Sequence, residues 1–130
     1  MKIPRIGFGV FASPPDQCVN SCLAALSKGY RHIDTAKFYK NEAAVGEAVR
    51  KSGLKRSDVF ITTKIMDPEG SVEKTLESLR ASVKLIGLGW VDLFLIHTPK
   101  DGPGGRREMW EALEKLKSEG GAKNIGVSNL

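Results

Sequence analysis

The sequence contains little of several residue types, and each shortage excludes a class of protein or site. Only two cysteines, Cys18 and Cys22, and two histidines, His32 and His97, occur in the 130 residues, so we predict no metal site. The cysteines are four residues apart, a spacing that predicts one shared apolar helix face. No apolar run approaches the ~20 residues needed to cross a bilayer, and the first residues lack a signal-peptide pattern. We therefore expect a cytoplasmic protein without a membrane partner.

The charge is mildly positive and spread along the chain. Lys and Arg together number 20 and Asp and Glu together number 15, which gives a net charge of +5 at pH 7. Because these charges are scattered, we predict no nucleic-acid partner. A weak positive field suits an anionic small molecule such as a phosphorylated cofactor. The length is that of one ordinary domain, which we take as residues 1–130.

Short apolar runs alternate with amphipathic segments along the whole sequence. The runs predict strands at Ile3–Val10, Tyr30–Thr35, Val59–Ile65, Val91–His97 and Ala122–Val127. Helical patterns fill the intervals, and this order is typical of parallel βαβ units in an α/β fold. Two architectures remain open: a (β/α)8 barrel of the TIM type, truncated to roughly its first five strands, or a rearranged open parallel α/β sheet.

Capping residues and breakers set the predicted helix boundaries. Asp16, Asn41 and Ser71 are the N-cap candidates. The stretch Lys100–Gly105 is predicted as a flexible loop, so the last helix is expected to begin only at Arg106. These boundaries leave a loop after each strand, which is where parallel α/β proteins carry functional side chains.

A glycine motif after the first strand has the spacing of a dinucleotide-binding fingerprint. Gly7, Gly9 and Ala12 fit the pattern G-x-G-x-x-A, and Asp34 follows about 20 residues later, as the ribose-binding acid would. However, Ser13–Pro15 separates the motif from the next helix, whereas the fingerprint runs directly into a helix N-terminus. We interpret the motif as a tight glycine turn. Nucleotide binding by an open α/β domain is therefore only the third of our functional hypotheses, and the two that we rank above it are described below.

Four side chains that can carry protons fall at the ends of successive predicted strands or just after them. Asp34 ends the second strand, and Tyr39 follows in the next loop. Lys64 lies at the end of the third strand, and His97 ends the fourth. Because the carboxyl ends of parallel strands form one functional face, we expect the four groups to gather on one rim. Each alone has a structural explanation, but together they favour a catalytic site.

The chemistry of these four groups suits protonation of a carbonyl oxygen. A phenol releases its proton poorly at neutral pH, and a nearby ammonium stabilises the phenolate. Lys64 would supply that ammonium to Tyr39, and Asp34 would keep Lys64 charged and oriented. His97 would donate a hydrogen bond to a substrate oxygen. The hydride that completes the reduction must come from a bound cofactor.

Four blocks of the sequence resemble those of the aldo-keto reductase family, in the same order. They are GYRHIDTAKFYKNEAAVGEAVRKSG (29–53), VFITTKI (59–65), VDLFLIH (91–97) and IGVSNL (125–130). The resemblance implies the (β/α)8 barrel, NADPH or NADH as cofactor, and reversible reduction of an aldehyde or ketone to an alcohol. By the same resemblance Tyr39 is the general acid, tuned by Lys64 and Asp34. His97 then orients the carbonyl group of a small substrate.

The resemblance also implies contacts with the cofactor and the substrate. Ser128 and Asn129 match the family's pair that holds the nicotinamide carboxamide, and Phe11 stands where many members have Trp. The cofactor contacts implied in this way are Gly9, Val10, Asp34, Ser128 and Asn129. The substrate contacts implied in this way are Phe11, Tyr39 and His97.

The matching blocks stop after the fifth predicted strand. The family's N-terminal hairpin and its later strands, which supply much of the cofactor site, have no counterpart in the printed sequence. We therefore expect weak NADPH binding and poor carbonyl reduction. Because five strands leave an apolar face and two sheet edges uncovered, we also expect self-association or a rearranged sheet. A noncatalytic half barrel that docks on another chain is the second functional hypothesis.

Overall fold

The computed structural model describes residues 1–129 and, within them, five strands and four α-helices. The strands are β1 (Phe8–Gly9), β2 (His32–Asp34), β3 (Phe60–Ile65), β4 (Val91–Ile96) and β5 (Ala122–Val127). The helices are α1 (Pro15–Ser27), α2 (Glu42–Ser52), α3 (Val72–Ile86) and α4 (Gly102–Ser118). Short 3-10 turns at Lys37–Tyr39 and Arg56–Asp58 precede α2 and β3. No helix in this part of the chain is long and apolar enough to cross a membrane.

All five strands are parallel, and they pair in the order in which they follow one another along the chain. Gly9 lies opposite Asp34 in the register of β1 and β2, and Lys64 lies opposite Leu95 in that of β3 and β4. A doubly wound sheet has a point at which the strand order reverses. The strands of a (β/α)8 barrel instead pair in chain order without a reversal. The α/β prediction and the partial-barrel architecture are therefore confirmed, and the strand order is not that of a rearranged sheet.

The helices pack side by side against the sheet. Helix α1 contacts α2, α2 contacts α3, and α3 contacts α4. Large apolar side chains that are fully buried form the core between the helices and the strands, among them Ile33, Ile61, Phe94, Val45, Leu79 and Leu113. Cys18 and Cys22 belong to this core, and their Sγ atoms are 3.8 Å apart on α1. The prediction that they share a buried helix face is confirmed.

The first strand is much shorter than the sequence predicted. The expected strand Ile3–Val10 is wrong in its extent, since β1 contains only Phe8 and Gly9. Pro4 has no amide hydrogen to donate to a sheet ladder, and the side chain of Ile6 is 61% exposed. The residues before Phe8 therefore have neither the pairing nor the burial that a strand requires.

The turn that follows β1 does not depend on glycine. Ala12 carries the left-handed backbone conformation, with φ at 60°, and the amide of Ser13 donates to the carbonyl of Val10 at 3.1 Å. Gly7 has a different purpose, because a Cβ atom there would lie 2.7 Å from Nδ1 of His32. The glycine-turn interpretation was therefore wrong, and Gly7 instead permits a close approach between chain segments.

Two helices begin earlier than expected. Helix α1 starts at Pro15, so Asp16 lies inside its first turn and is not the N-cap. A carboxylate in this position interacts favourably with the helix dipole. Helix α4 starts at Gly102 rather than at Arg106, and its second residue is Pro103. Proline is tolerated in the first helical turn because its missing amide hydrogen has no partner there. The glycine-rich stretch is therefore partly helical and not wholly a loop.

The remaining two caps differ from each other. Ser71 caps α3 as predicted, because its hydroxyl accepts a hydrogen bond from the amide of Lys74 at 3.1 Å. Asn41 occupies the residue before α2, but its side chain makes no capping hydrogen bond. The position was predicted correctly, and the function of the side chain was not.

A carboxyl group is buried where α2, α3 and β3 meet. Glu42, the first residue of α2, is only 3% exposed. Its two oxygens accept hydrogen bonds from the hydroxyls of Thr63 on β3 and Ser82 on α3. Burial raises the pKa of Glu42, and the two hydroxyl groups offset part of that rise. Glu42 thus joins three elements, and its ionised form is disfavoured in the folded chain.

We expect Glu42→Gln to raise the free energy of unfolding at pH 7 by about 1 kcal/mol, because it removes a buried charge while keeping a polar side chain. The pKa of Glu42 in the folded chain lies above its ordinary value of 4.5. The stability of the native state therefore falls as the pH rises from 4.5 through the folded pKa. The advantage of the variant should therefore shrink as pH falls towards 4.5. Urea unfolding over a pH series measures this difference.

The matched control is Glu47→Gln, which removes an exposed carboxylate from the same helix. It should change the stability little at any pH, because exposed ion pairs contribute little. A Glu42→Gln chain that is less stable than the wild type at pH 7, with no dependence on pH, would contradict the expectation.

Candidate active site

The four predicted proton-carrying side chains lie at one rim of the sheet. Asp34 is the last residue of β2, Lys64 is next to the last residue of β3, and His97 directly follows β4. Tyr39 ends the 3-10 turn Lys37–Tyr39. Because the strands are parallel, their carboxyl ends meet at the same edge, and the loop after β2 places Tyr39 above them. The structure therefore brings the whole set together, as predicted.

The ammonium group of Lys64 is the centre of this cluster. Lys64 is 6% exposed, and its Nζ atom forms an ion pair with the Asp34 carboxylate. Nζ also donates to the carbonyl of Thr35 at 3.0 Å and to the Tyr39 hydroxyl at 3.5 Å. An ammonium has three protons to donate. Each of them thus has an acceptor, which offsets the cost of burying the charge.

The two members of the ion pair differ in their access to solvent. The side chain of Lys64 is 7% exposed and that of Asp34 is 35% exposed. Nζ also lies 5.1 Å from the centre of the Tyr39 ring. The ammonium is therefore enclosed by its partners, whereas the carboxylate is open to the outside. A molecule that binds at the rim can contact Asp34 directly.

The imidazole of His97 forms the far side of the cluster. Its ring centre is 5.6 Å from that of Tyr39, and the two planes meet at 79°. Burial lowers the pKa of His97, the Lys64 charge lowers it further, and the Asp34 charge opposes both. The uncharged form of the ring is therefore favoured. Within residues 1–129, its Nδ1 atom is buried without a hydrogen-bond partner.

Two exposed aromatic side chains flank the pair formed by Tyr39 and His97. Phe11, in the turn after β1, is 68% exposed and contacts Tyr39 edge to face at 5.2 Å. Phe38 is 56% exposed, and its ring centre lies 6.4 Å from that of His97. The two rings lie on the same rim as the polar groups and add apolar surface to it. The site therefore has aromatic walls on two sides.

The residues at the end of β5 lie next to His97. The side-chain amide of Asn129 donates to the His97 carbonyl at 2.7 Å and to the Ser128 hydroxyl at 3.2 Å. The amide of Ser128 donates to the carbonyl of Ile96 at 2.9 Å. Both polar side chains therefore lie on the same rim as the proton-carrying groups, beside β4.

The predicted residues at the end of β1 lie on the opposite flank. Gly9 is opposite Asp34 in the sheet register, and the amide of Val10 donates to the Asp34 carbonyl at 3.1 Å. Val10, backbone included, is 2% exposed, so it packs in the core and offers no surface to a ligand. Of this segment, Gly9 and the projecting Phe11 are the parts that reach the rim.

The structure adds three contributors that were not predicted from the sequence to belong to the site. The carbonyl of Thr35 accepts a hydrogen bond from Lys64, and the ring of Phe38 lies beside His97. The side-chain amide of Asn41 donates to the carbonyl of Val10, in the turn after β1. Only Phe38 carried a readable signal, as an apolar ring in a polar loop directly before Tyr39. A backbone carbonyl has no sequence signal, and Asn41 has the ordinary signal of a helix cap.

The sequence matches one protein family over nearly its whole length. Residues 5–130 match the profile of the Aldo/keto reductase family, so the chain belongs to that family. Its five strands with alternating helices correspond to the first half of the family's (β/α)8 barrel. The fold and the family expected from the sequence blocks are therefore both confirmed.

Individual relatives cover this chain almost completely but extend well beyond it. Morphine 6-dehydrogenase of Pseudomonas putida is 40% identical over 130 residues, which are 100% of this chain and 44% of that protein. An aldo/keto reductase of Brucella melitensis is 45% identical with a TM-score of 0.93, over 98% of this chain and 50% of that one. A Bombyx mori aldo-keto reductase in complex with NADP is 30% identical with a TM-score of 0.86, over 96% and 46%. The chain spans about half the length of the relatives it matches.

We expect the pKa of His97 to rise in Lys64→Met, because the variant removes a positive charge that disfavours the imidazolium. In Asp34→Asn the same pKa should fall, because a stabilising negative charge is lost. Proton NMR of the ring hydrogens over a pH series measures both, and the chain has only two histidines to assign.

Lys84→Met serves as the control, since Lys84 lies on α3 and takes no part in the contacts of the cluster. It should leave the His97 titration where it is in the wild type. A Lys64→Met chain in which the His97 pKa is unchanged or lower would show that the ammonium and the imidazole do not sense each other.

Proposed function

We propose that this member of the aldo/keto reductase family supplies the proton-transfer groups of an NAD(P)H-dependent oxidoreductase that reduces aldehydes or ketones to alcohols. The observation that carries the proposal is the buried ammonium of Lys64, which contacts the Asp34 carboxylate and the Tyr39 phenol together. Because the chain spans about half the length of its relatives, the activity of the whole protein is part of the proposal.

The proposed reaction adds a hydride to the carbonyl carbon and a proton to the carbonyl oxygen. Tyr39 is the general acid, and its hydroxyl proton passes to the substrate oxygen. Lys64 stabilises the phenolate that remains, and Asp34 holds Lys64 charged and in place. His97 donates a hydrogen bond from its uncharged ring to the same oxygen. Burial and, after it, the Lys64 charge lower the pKa of His97, which supports this neutral role.

The proposed cofactor is NADPH or NADH, which supplies the hydride when bound. Asn129 presents a side-chain carbonyl and Ser128 a hydroxyl beside the end of β4, and these groups suit the donors and the acceptor of a nicotinamide carboxamide. The partly exposed carboxylate of Asp34 and the backbone at Gly9 complete the proposed contacts, whereas Val10 is buried and is left out of them. The NADP bound to the Bombyx mori relative supports this choice.

The proposed substrate is a small carbonyl compound whose substituent is apolar or aromatic. In this proposal its oxygen accepts hydrogen bonds from the Tyr39 hydroxyl and from the His97 ring, two groups whose ring centres are 5.6 Å apart. The exposed rings of Phe11 and Phe38 then face the substituent on either side. Aromatic walls around a few placed polar groups are the usual composition of a small-molecule site.

We expect Tyr39→Phe to lower the rate of aldehyde-dependent NADPH oxidation by roughly 10²–10⁴-fold, the contribution of a positioned general acid. The assay follows the absorbance of NADPH with a simple aromatic aldehyde. It is run on this chain and on a chimera in which the chain replaces the matching half of the Brucella melitensis reductase, to which it is 45% identical.

Tyr30→Phe is the matched control, since Tyr30 is the only other tyrosine and packs against Phe8 away from the rim. It should leave the rate within about a factor of two, as expected for a change outside the reacting groups. A chimera that oxidises NADPH equally fast with Phe at position 39 would exclude Tyr39 as the general acid.

A second candidate function is noncatalytic association through the open side of the sheet. Within residues 1–129, β1 pairs only with β2 and β5 pairs only with β4, so both edges present unpaired backbone groups. Val127 on β5 is 46% exposed. Such edges favour pairing with a second copy of the chain or with a complementary chain.

We expect the isolated chain to sediment as a dimer or larger species at tens of micromolar, because association would cover these edges. Analytical ultracentrifugation measures the mass. A monomer that also fails to bind an apolar fluorescent dye would remove the association candidate and leave the reductase proposal untouched.

A further inference from the structure

One buried side-chain amide connects three of the segments that form the site. Asn41 is 1% exposed. Its Nδ2 atom donates to the carbonyls of Val10 at 2.9 Å and Ser13 at 3.0 Å. Its Oδ1 atom accepts from the Thr35 hydroxyl at 2.6 Å. Each hydrogen of the amide therefore has an acceptor, which is the condition for burying such a group at little cost.

The orientation of this amide is fixed by its partners. A carbonyl oxygen only accepts hydrogen bonds, so the NH2 end of Asn41 must face Val10 and Ser13. The oxygen end then faces Thr35, which is also fully buried. No other residue type of this size presents two donors and one acceptor in these directions. The arrangement thus depends on asparagine specifically.

The donor end of Asn41 holds both ends of the turn that carries Phe11. Val10 and Ser13 flank this turn, and between them Ala12 has φ at 60°. On the other side of the site, Lys40 directly precedes Asn41 and has φ at 59°. Left-handed conformations at residues other than glycine persist only where the surroundings hold them. The hydrogen bonds that Asn41 donates to Val10 and Ser13 join these two segments.

The acceptor end of Asn41 reaches the environment of Lys64. The hydroxyl of Thr35 donates a hydrogen bond to Oδ1 of Asn41, and the backbone carbonyl of Thr35 accepts one from Nζ of Lys64 at 3.0 Å. The amide of Thr35 is bound in turn to the carbonyl of Thr62 at 2.9 Å. Thr35 is therefore held on three sides, and Asn41 provides the side-chain contact.

We propose that Asn41 is a positioning residue that holds the ring of Phe11 against Tyr39 and the carbonyl of Thr35 against Lys64. Its importance for catalysis rests on the proposed reductase function, but its effect on geometry does not. Asn41 touches neither a substrate nor a reacting atom. It acts through the turn after β1 and through the end of β2.

The test reads the position of Tyr39 by ¹⁹F NMR, without cofactor or turnover. 3-Fluorotyrosine labels Tyr39 and Tyr30, the two tyrosines of the chain, and Tyr30→Phe assigns the signals. Phe11→Leu should shift the Tyr39 signal, because it removes an aromatic ring 5.2 Å away. Asn41→Ala should shift the signal in the same direction by a comparable displacement. The double variant should move it no further than Phe11→Leu alone.

Asn124→Ala is the matched control, since its amide also donates to a backbone carbonyl, that of Asp92 at 3.2 Å. It should leave the Tyr39 signal unchanged. A merely structural role for Asn41 would lower the melting temperature of the folded variant and leave the signal in place, and that result would overturn the proposal. So would a Phe11→Leu chain with an unshifted signal, because the contact itself would then be absent.

If Asn41→Ala does not fold, Asn41→Ser is read in the same way. If neither folds, side-chain amide hydrogen exchange in the wild-type chain decides. The Asn41 amide protons should exchange far more slowly than those of Asn20, whose side chain is exposed. Equal exchange rates for the two side chains would overturn the proposal. Either result is independent of whether the chain reduces carbonyl compounds.

Discussion

The burial of one ammonium group constrains most of the rim. A charged amine taken out of water costs several kcal/mol unless other groups replace its hydration. Lys64 meets this condition through a carboxylate, a carbonyl and a phenol that belong to Asp34, Thr35 and Tyr39. These acceptors come from the end of β2 and from the loop that follows it. The β2–β3 register and the path of that loop must therefore both be correct before Lys64 can be buried.

The helices maintain that path from the outer side of the sheet. A Cβ atom on Gly46 of α2 would lie 1.7 Å from the Ile86 carbonyl at the end of α3, so only glycine allows the two helices to approach so closely. The approach lets Glu42 reach Thr63, the neighbour of Lys64 on β3. Because α2 begins only three residues after Tyr39, a contact that fixes its first residue also limits where the phenol can lie.

Residues at strand ends could be predicted from sequence because two simple signals coincide there. The apolar runs of β3 and β4 stop near Lys64 and His97, and parallel pairing then brings those ends together. Asn41 could not be understood in this way, since its carbonyl partners lie 31 and 28 residues earlier and asparagine is also a common N-cap. The start of α4 was missed for a local reason, because Pro103 suits a first helical turn as well as a loop.

Three adjacent strands are enough to assemble the proton-carrying groups. Neighbouring strands lie ~4.8 Å apart, and Asp34 is opposite Thr62, so Lys64, two residues on, projects from the same face of the sheet. Within residues 1–129, no contact of the Lys64 ammonium comes from β1 or β5. Those outer strands instead bear Gly9 and lead to Asn129, which flank the site. The proton-transfer geometry thus depends on β2, β3, β4 and the loop after β2, whereas the proposed cofactor contacts also depend on the outer strands.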